Sequence, residues 1–153
     1  MKPKVSRPLR LEDNLCFALY RASRAFTRAY QVVLEPLDLT YPQYLVMLVL
    51  WERDDISVTD LGERLALDSG TLTPLLKRLE QAGRVARRRD GTDERIVRIA
   101  LTARGRALGV KATAVPLELV RCAGFTLDAA GLGQIGALRD AVNEVTKRLA
   151  HSA

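Results

Sequence analysis

Residues 67–105 read LDSGTLTPLLKRLEQAGRVARRRDGTDERIVRIALTARG and change their hydrophobic period halfway along. Up to Gly83 the leucines recur at the spacing of one helical face: Leu72, Leu75, Leu76 and Leu79. After it, apolar and polar residues alternate in two runs, Val85 to Arg89 and Ile96 to Leu101, joined by RRDGTDER with its Asp-Gly turn signal. The stretch therefore predicts a helix followed by a β-hairpin with a basic tip.

Three helices are predicted before this stretch. Apolar side chains recur at helical spacing over residues 11–34, and Pro36 ends that first helix. Thr40 and Gln43 form a capping box that opens a second helix, which is apolar on most sides and should be buried. Ser57 caps a third helix, which a short turn separates from the leucine helix.

Two further helices are predicted after the hairpin. Thr102 caps the first, in which a break is expected at Pro116, and Thr126 caps the second. Pro74 is expected near the first turn of the leucine helix, because a proline deep in a helix costs about 3 kcal/mol. The chain is therefore predicted to be mainly α, with a winged helix-turn-helix over residues 55–102.

The positive charge of the chain is concentrated in one segment. The formal net charge is +6 and the sequence pI is about 9.7. Between Lys77 and Arg106 there are ten basic and four acidic residues, a difference of +6 that equals the net charge of the whole chain. Such a segment favours a polyanionic partner over a surface of mixed charge.

Helix, short turn, helix and basic hairpin is the element order in which the second helix enters the DNA major groove. The start of that helix offers hydroxyl groups to phosphates and base edges, and its next turn offers cations: Ser69, Thr71, Thr73, Pro74, Lys77 and Arg78. The hairpin offers arginines suited to a narrow minor groove, with an acid beside them: Arg87, Arg88, Arg89, Asp93 and Arg95. Helix capping or solubility also explains each residue alone, but their order and charge together favour binding to double-stranded DNA.

Length and composition fit one domain of 153 residues with no cofactor. The N-terminus lacks the apolar region of a signal peptide, and the apolar run Tyr44–Trp51 is far too short to span a bilayer. We therefore expect a cytoplasmic protein with no membrane partner, whose thiols are kept reduced. No metal site is expected, because the single histidine is His151 and the two cysteines have no ligand spacing.

The segments LDSGTLTPLLKRLEQAGRVARRR and DERIVRIALTARG resemble the MarR family of dimeric winged-helix regulators. LCFALY (15–20) and LTYPQYLVMLVLWE (39–52) are similar to a thiol-based branch of that family, the organic hydroperoxide resistance regulators. The similarity is close over residues 11–108 and loose beyond them. It implies a homodimer, joined by helices in 10–36 and 103–150, that represses a gene at a pseudo-palindromic operator and leaves DNA when an organic hydroperoxide oxidises it.

Cys16 is either a small apolar residue of a helical stripe or a reactive thiol. Reactivity requires a thiolate, which a helix N-terminus or hydrogen-bond donors stabilise. Tyr20 lies one turn further along the same face, whereas Tyr30 is 14 residues away, a rise of about 21 Å in a continuous helix. Tyr30 therefore reaches a Cys16 only across a dimer. The resemblance implies that Tyr30 and Tyr41 hydrogen-bond the reactive cysteine of the partner subunit.

Cys122 is the other cysteine of the chain. A hydroperoxide converts a thiolate into a sulfenic acid, which condenses with a second thiol to a disulfide. The resemblance implies that Cys122 resolves the sulfenic acid of Cys16 between subunits. The alternative for Cys122 is a half-exposed cysteine at a helix end with no part in the chemistry.

Two other functions remain open on the sequence alone. A regulator of the same fold that responds to a small aromatic ligand would use Cys16 for packing only. A thiol peroxidase would use Cys16 as its nucleophile, but the concentrated positive segment has no purpose in such an enzyme. We therefore expect a non-enzymatic regulator without catalytic residues.

Overall fold

The computed structural model describes residues 10–151. Within that range the elements are α1 (Leu15–Leu34), α2 (Tyr41–Glu52), β1 (Ile56–Ser57), α3 (Val58–Leu65), α4 (Ser69–Gln81), β2 (Val85–Arg89), β3 (Val97–Leu101), α5 (Ala103–Ala112), α6 (Val115–Cys122) and α7 (Ala129–Ala150). Short 3-10 turns, Leu11–Asp13 and Glu35–Leu37, flank α1. The mainly helical fold with a winged helix-turn-helix is confirmed.

The sheet has three antiparallel strands in the order β1-β3-β2. The hairpin follows the prediction, with β2 at the expected residues and β3 beginning one residue later, at Val97. The strand β1 was not predicted, because two residues carry no periodicity. It forms through the pairing of Ile56 with Ile99, a contact between residues far apart in sequence.

Local capping signals fix most helix starts. Thr40 and Gln43 form the predicted capping box, in which the Gln43 amide donates to the Thr40 hydroxyl and the Thr40 amide donates to the Gln43 side chain. The Ser57 hydroxyl accepts from the Asp60 amide at 3.0 Å and opens α3. The first helix after the hairpin is likewise capped at the predicted threonine.

Two predicted helix starts are corrected by the structure. The first helix begins at Leu15 instead of residue 11, because the Asn14 side chain accepts from a backbone amide of the first turn. The last helix is capped by Asp128, and the Thr126 hydroxyl only donates to that carboxylate at 2.7 Å. Pro74, expected near the first turn of α4, is the sixth residue of that helix and lies in its second turn. Its ring faces the carbonyl of an exposed glycine four residues earlier, which solvent can hydrate.

Helix α2 forms the centre of the core, which aliphatic side chains fill on every side. The core residues of α2 include Val46, Met47 and Leu50. They belong to one cluster with the inward-facing residues of α3 (Leu61), α4 (Leu72, Leu76 and Leu79) and the sheet (Val85 and Ile99). This arrangement explains why α2 is apolar on most sides. No helix in residues 10–151 is long and apolar enough to cross a membrane.

The terminal helices leave apolar surface uncovered in a single protomer. Helix α7 has 22 residues, yet Gly131 is its one buried residue. Leu132, Leu138 and Leu149 on α7 and Leu15 on α1 are each at least half exposed, between 50% and 65%. Helices with this much exposed leucine are typical of an interface between subunits.

The base of the hairpin is fastened to the elements on both sides of it. Arg84, one residue before β2, is 4% exposed, and its guanidinium donates to the carboxylate and the carbonyl of Asp38 at 2.8 and 2.7 Å. The Arg84 carbonyl accepts from the Thr102 amide at 3.1 Å. A Cβ on Gly105 would lie 2.0 Å from that carbonyl oxygen, so a side chain there would force α5 away from the hairpin.

We predict that Gly105→Ala lowers the free energy of unfolding by about 1–3 kcal/mol, the usual cost of overpacking. Urea unfolding followed by circular dichroism measures the change. Gly91→Ala at the hairpin tip is the control, because no atom lies within 4 Å of a Cβ there. An equal effect of the two substitutions would contradict the close packing of α5 against Arg84.

Candidate functional site

The N-terminus of α4 presents hydroxyl groups at the protein surface. Asp68 caps the helix and accepts from the Thr71 amide at 2.8 Å and from the Thr71 hydroxyl at 3.2 Å. These bonds, the backbone one first, hold the pKa of Asp68 below its usual range. Thr71 is therefore engaged in capping. Ser69 and Thr73 are exposed, and their hydroxyl groups have no protein partner within the described residues.

Lys77 and Arg78 are the exposed cations of α4. Lys77 lies one turn after Thr73 and therefore shares its face, opposite the leucines that α4 buries. Neither cation forms an ion pair with another residue of the described part of the chain. Both can therefore bind a phosphate without giving up an acidic partner.

The hairpin arginines are braced by partners within the fold. Arg87 pairs with Glu80 of α4 at 3.3 Å and donates to the Thr73 carbonyl at the same distance. Arg89 donates to a backbone carbonyl of the tip at 2.8 Å. Arg88 points to the other face of the strand and forms an ion pair with Asp55. Arg87 and Arg89 thus lie on one face, together with α4, and Arg88 does not.

The hairpin tip is ordered by two carboxylates. Asp90 accepts from the hydroxyl and the amide of Thr92, and these bonds lower the pKa of Asp90 to about 2. Asp93 accepts from the Arg95 guanidinium at two positions, at 3.0 and 2.9 Å, which lowers the pKa of Asp93. The Arg95 side chain is 90% exposed, so the paired guanidinium is held outward at the tip. Such a group is positioned to enter a minor groove.

Asp55 holds two arginines of the hairpin in place, a role that no sequence pattern indicates. Its φ of 57° places it in the left-handed region, just before β1. Its carboxylate pairs with both Arg88 and Arg98. Partial burial raises the pKa of Asp55, but the hydrogen bonds from the two arginines outweigh burial and hold it below the usual range. A carboxylate 33 residues before its arginine carries no local sequence signal.

Cys16 lies in the first turn of α1, as the second residue of the helix, and is exposed. Because α1 begins at Leu15 and not at residue 11, the Cys16 thiol lies closer to the helix N-terminus than the sequence predicted. Unpaired backbone amides and the helix dipole favour a negative charge at this position. Asn14 takes up one of these amides, that of Phe17, at 2.9 Å.

Tyr20 is not directed at Cys16 within the protomer. The Tyr20 hydroxyl accepts from the Arg24 guanidinium at 3.1 Å, and the same guanidinium lies 5.6 Å from the ring centre. The ring also stacks with Phe17 at 6.4 Å. One turn of helix separates Tyr20 from the thiol, so a change of side-chain rotamer is needed before the hydroxyl can approach it.

Tyr30 and Tyr41 form a stacked pair, with ring centres 4.2 Å apart. Helix α1 is continuous, so Tyr30 lies about 21 Å along the axis from Cys16 of its own chain. Burial, with Tyr41 and Tyr44 nearby, raises the pKa of Tyr30 to about 12. A phenol that stays protonated remains a hydrogen-bond donor, as a thiolate requires of its neighbours.

Cys122 is the last residue of α6 and is exposed, as expected for a cysteine at a helix end. It lines an apolar cavity of about 310 Å³ between α1, α6 and α7, together with Phe26, Leu119, Phe125 and Leu138. The structure brings Cys122 beside the middle of α1, whereas Cys16 lies at the start of that helix. Both thiols are free. No cluster of three or more metal-binding side chains occurs in residues 10–151.

The chain is similar in sequence to transcriptional regulators. The family described as transcriptional regulator SarA/Rot matches residues 28–110. The regulator TtmR of Methylorubrum extorquens is 53% identical over 135 residues, 87% of this chain and 69% of TtmR. The organic hydroperoxide resistance transcriptional regulator of Bacillus subtilis is 51% identical over 108 residues, 71% of this chain and 74% of that protein.

The fold is also similar to solved structures of AbfR, a protein of Staphylococcus epidermidis. Reduced AbfR bound to DNA is 35% identical with a TM-score of 0.74, covering 92% of this chain and 94% of AbfR. AbfR has also been solved overoxidised on DNA and in a disulfide form, with TM-scores of 0.72 and 0.64. The present structure is thus more similar to the two DNA-bound forms than to the disulfide form.

We predict that, in Tyr30→Phe, the free energy of unfolding falls less steeply as the pH rises above 9. The neutral phenol is favoured in the folded protein, so its contribution is complete below about pH 10 and is lost as the pH rises towards 12. Unfolding free energies from urea titrations at pH 9 and pH 11 measure this slope. The exposed Tyr20→Phe is the control and should keep the slope of the parent protein. An unchanged slope in Tyr30→Phe would contradict the burial of this phenol.

Proposed function

Since the chain belongs to the MarR/SarA type of winged-helix transcriptional regulators, we propose that it represses its target as a homodimer and releases DNA when an organic hydroperoxide oxidises Cys16. One observation carries this proposal. Cys16 is an exposed thiol in the first turn of α1, in a chain 51% identical to an organic hydroperoxide resistance regulator. The relatives are transcriptional regulators, so the protein is not an enzyme.

The exposed leucines of α1 and α7 support a homodimer joined by residues 10–36 and 103–150. A partner that covers them removes this apolar surface from water. The same pairing supplies Tyr30 and Tyr41 to the Cys16 of the other protomer, because α1 holds the two sites apart within one chain. Tyr20 joins them after its rotamer changes. Two phenols that stay protonated then donate hydrogen bonds to the Cys16 sulfur.

Residues 55–102 carry the DNA contacts. Helix α4 enters the major groove, where Ser69, Thr73 and Lys77 reach phosphates and base edges. Arg95, held outward by Asp93, enters the adjacent minor groove. Two α4 helices of a symmetric dimer read half-sites one helical turn apart, so the operator is pseudo-palindromic. A repressor of this bacterial type acts in the cytoplasm, where the DNA is.

The chemistry of release is a two-electron oxidation. The Cys16 thiolate attacks the terminal peroxide oxygen, the O–O bond breaks, and the alkoxide leaves and takes up a proton to become an alcohol. Cys16 is now a sulfenic acid, which condenses with the Cys122 thiol of the other protomer to give a disulfide and water. Because Cys122 lies beside the middle of α1, this bond draws α1 and α6 into a new arrangement. The spacing of the two α4 helices changes with it.

We predict that Cys16→Ser binds DNA as tightly as the parent protein and keeps it after treatment with cumene hydroperoxide, because a serine hydroxyl is not oxidised. Gel shifts measure this with an operator duplex selected from random-sequence DNA by the reduced protein. The parent protein should lose at least tenfold in affinity. Cys122→Ser is the comparison and should form a sulfenic acid, detected with dimedone, without a disulfide. A parent protein that keeps its full DNA affinity after oxidation of Cys16 contradicts the proposal.

We also predict that Lys77→Gln weakens DNA binding and makes it less dependent on salt. Each phosphate contact contributes about 0.9 to the slope of log affinity against log salt, and a dimer loses two contacts, so the slope falls by about 2. Fluorescence anisotropy at several salt concentrations measures it. Arg53→Gln at the end of α2 is the matched control, because Arg53 is exposed and lies outside both the ranges proposed to join the dimer and the range proposed to contact DNA. A slope unchanged by Lys77→Gln would remove this residue from the DNA interface.

A further inference from the structure

Four aromatic rings form a continuous row from the start of α2 to its end. The ring centres of Tyr41 and Tyr30 are 4.2 Å apart, those of Tyr30 and Tyr44 are 5.7 Å apart, and those of Tyr44 and Trp51 are 6.1 Å apart. Tyr44 is 2% exposed, so the middle of this aromatic row is enclosed by the core. The row begins at the two tyrosines that are proposed to face the thiol of the other protomer.

The other end of the aromatic row is bound to α5. The indole N–H of Trp51 donates to the Gly105 carbonyl at 2.9 Å. One turn further along α5, a Cβ on Gly109 would lie 2.9 Å from the same indole ring. A side chain at Gly109 would therefore occupy the space of the indole, whereas a Cβ on Gly105 would meet the Arg84 carbonyl instead.

Gly105 is also the residue at which α5 meets the base of the hairpin. The Arg84 carbonyl lies directly over it, in contact with the first turn of α5. A second link arises three residues after Trp51, where the Asp54 carboxylate accepts from the Leu101 amide at 2.7 Å and from Arg106 at 3.0 Å. The end of α2 and the first turn of α5 are therefore bonded to the residues at the base of both strands of the hairpin.

We propose, resting on the function proposed above, that Trp51 is a positioning residue that transmits the oxidation state of the thiol site to the DNA-binding hairpin. When Cys16 is drawn towards Cys122, the tyrosines that face it lose their acceptor and move. Tyr44, the ring in the middle of the row, is enclosed by the core and has little free volume in which to absorb that movement. It reaches Trp51 through Tyr44, and the indole N–H moves the Gly105 carbonyl and, with it, the base of the hairpin.

The experiment separates DNA binding, oxidation and their coupling in the full-length protein. Two variants, Trp51→Phe and Trp51→benzothienylalanine, remove the indole N–H, and the second keeps the shape of the ring. Leu50→Met is the control, because it changes a buried neighbour on α2 outside the aromatic row. Operator affinity is measured before and after cumene hydroperoxide, and oxidation of Cys16 is followed with dimedone and by disulfide formation.

Both Trp51 variants should bind operator within twofold of the parent when reduced and oxidise Cys16 at the same rate. The ratio of reduced to oxidised affinity should fall about fivefold, the effect of one hydrogen bond of ordinary net strength. Trp51 is the single tryptophan of the chain. Its fluorescence should therefore shift when the parent protein is oxidised, and it should stay constant when the Cys16→Ser variant is treated in the same way.

Three outcomes overturn the role of Trp51: an unchanged affinity ratio in both Trp51 variants, an equal fall in Leu50→Met, or a fluorescence that does not respond to oxidation. A parent protein that is oxidised at Cys16 and keeps its DNA overturns the proposed function itself. The two failures are therefore distinguished by the behaviour of the parent protein.

Discussion

The uninterrupted helix α1 holds Cys16 and Tyr30 about 21 Å apart, and the organisation of the thiol site depends on this distance. A helix of this kind is rigid along its axis, so no side-chain movement closes the gap. The tyrosine pair is fixed to the core at one end of α1, and the thiol projects at the other end. A protomer alone therefore has a thiol and a set of phenols that do not meet. In the proposed homodimer, assembly of two chains both buries the exposed leucines and brings the phenols of one chain to the thiol of the other.

The other end of the molecule is rigid for a different reason. The hairpin is held by the Arg84 guanidinium on Asp38, by the close approach of Gly105, and by the ion pairs of Asp55. These contacts join the hairpin to the segment between α1 and α2, to α5 and to β1. Because these contacts hold the hairpin on several sides, we expect it to move together with the elements that it contacts. In the proposed function, small displacements of the helices thus become displacements of the hairpin instead of being lost in a flexible loop.

The elements that sequence could predict are those fixed by local chemistry. The capping box at Thr40, the helix that it opens and the hairpin all depend on residues close together in the chain, and all are confirmed. The start of α1 was predicted too early, because Leu11 continues the apolar stripe although it lies in a separate 3-10 turn and is exposed. Strand β1 depends on pairing with residues more than forty positions away, and periodicity contains no trace of it.

The candidate site also contains features that local chain geometry determines and contacts between residues far apart in sequence. Sequence could predict that Tyr30 and Cys16 lie apart, since helix rise alone determines it. It could not predict that Arg88 faces Asp55, because that acid belongs to a distant turn with a left-handed backbone. Nor could it place the indole of Trp51 against α5, because Trp51 and the Gly105 carbonyl that accepts its N–H are 54 residues apart.

The braced arginines of the hairpin have a consequence for how the protein searches a chromosome. Attraction to DNA of any sequence grows with the number of cations that can neutralise phosphates. Arg87 and Arg88 are each already neutralised by a carboxylate of the fold. The electrostatic hold on random sequence is therefore weaker than the count of basic residues suggests. With the DNA contacts proposed above, fewer regulator molecules are retained at the many irrelevant sites of a genome, and a larger share of a small population is left for the operator.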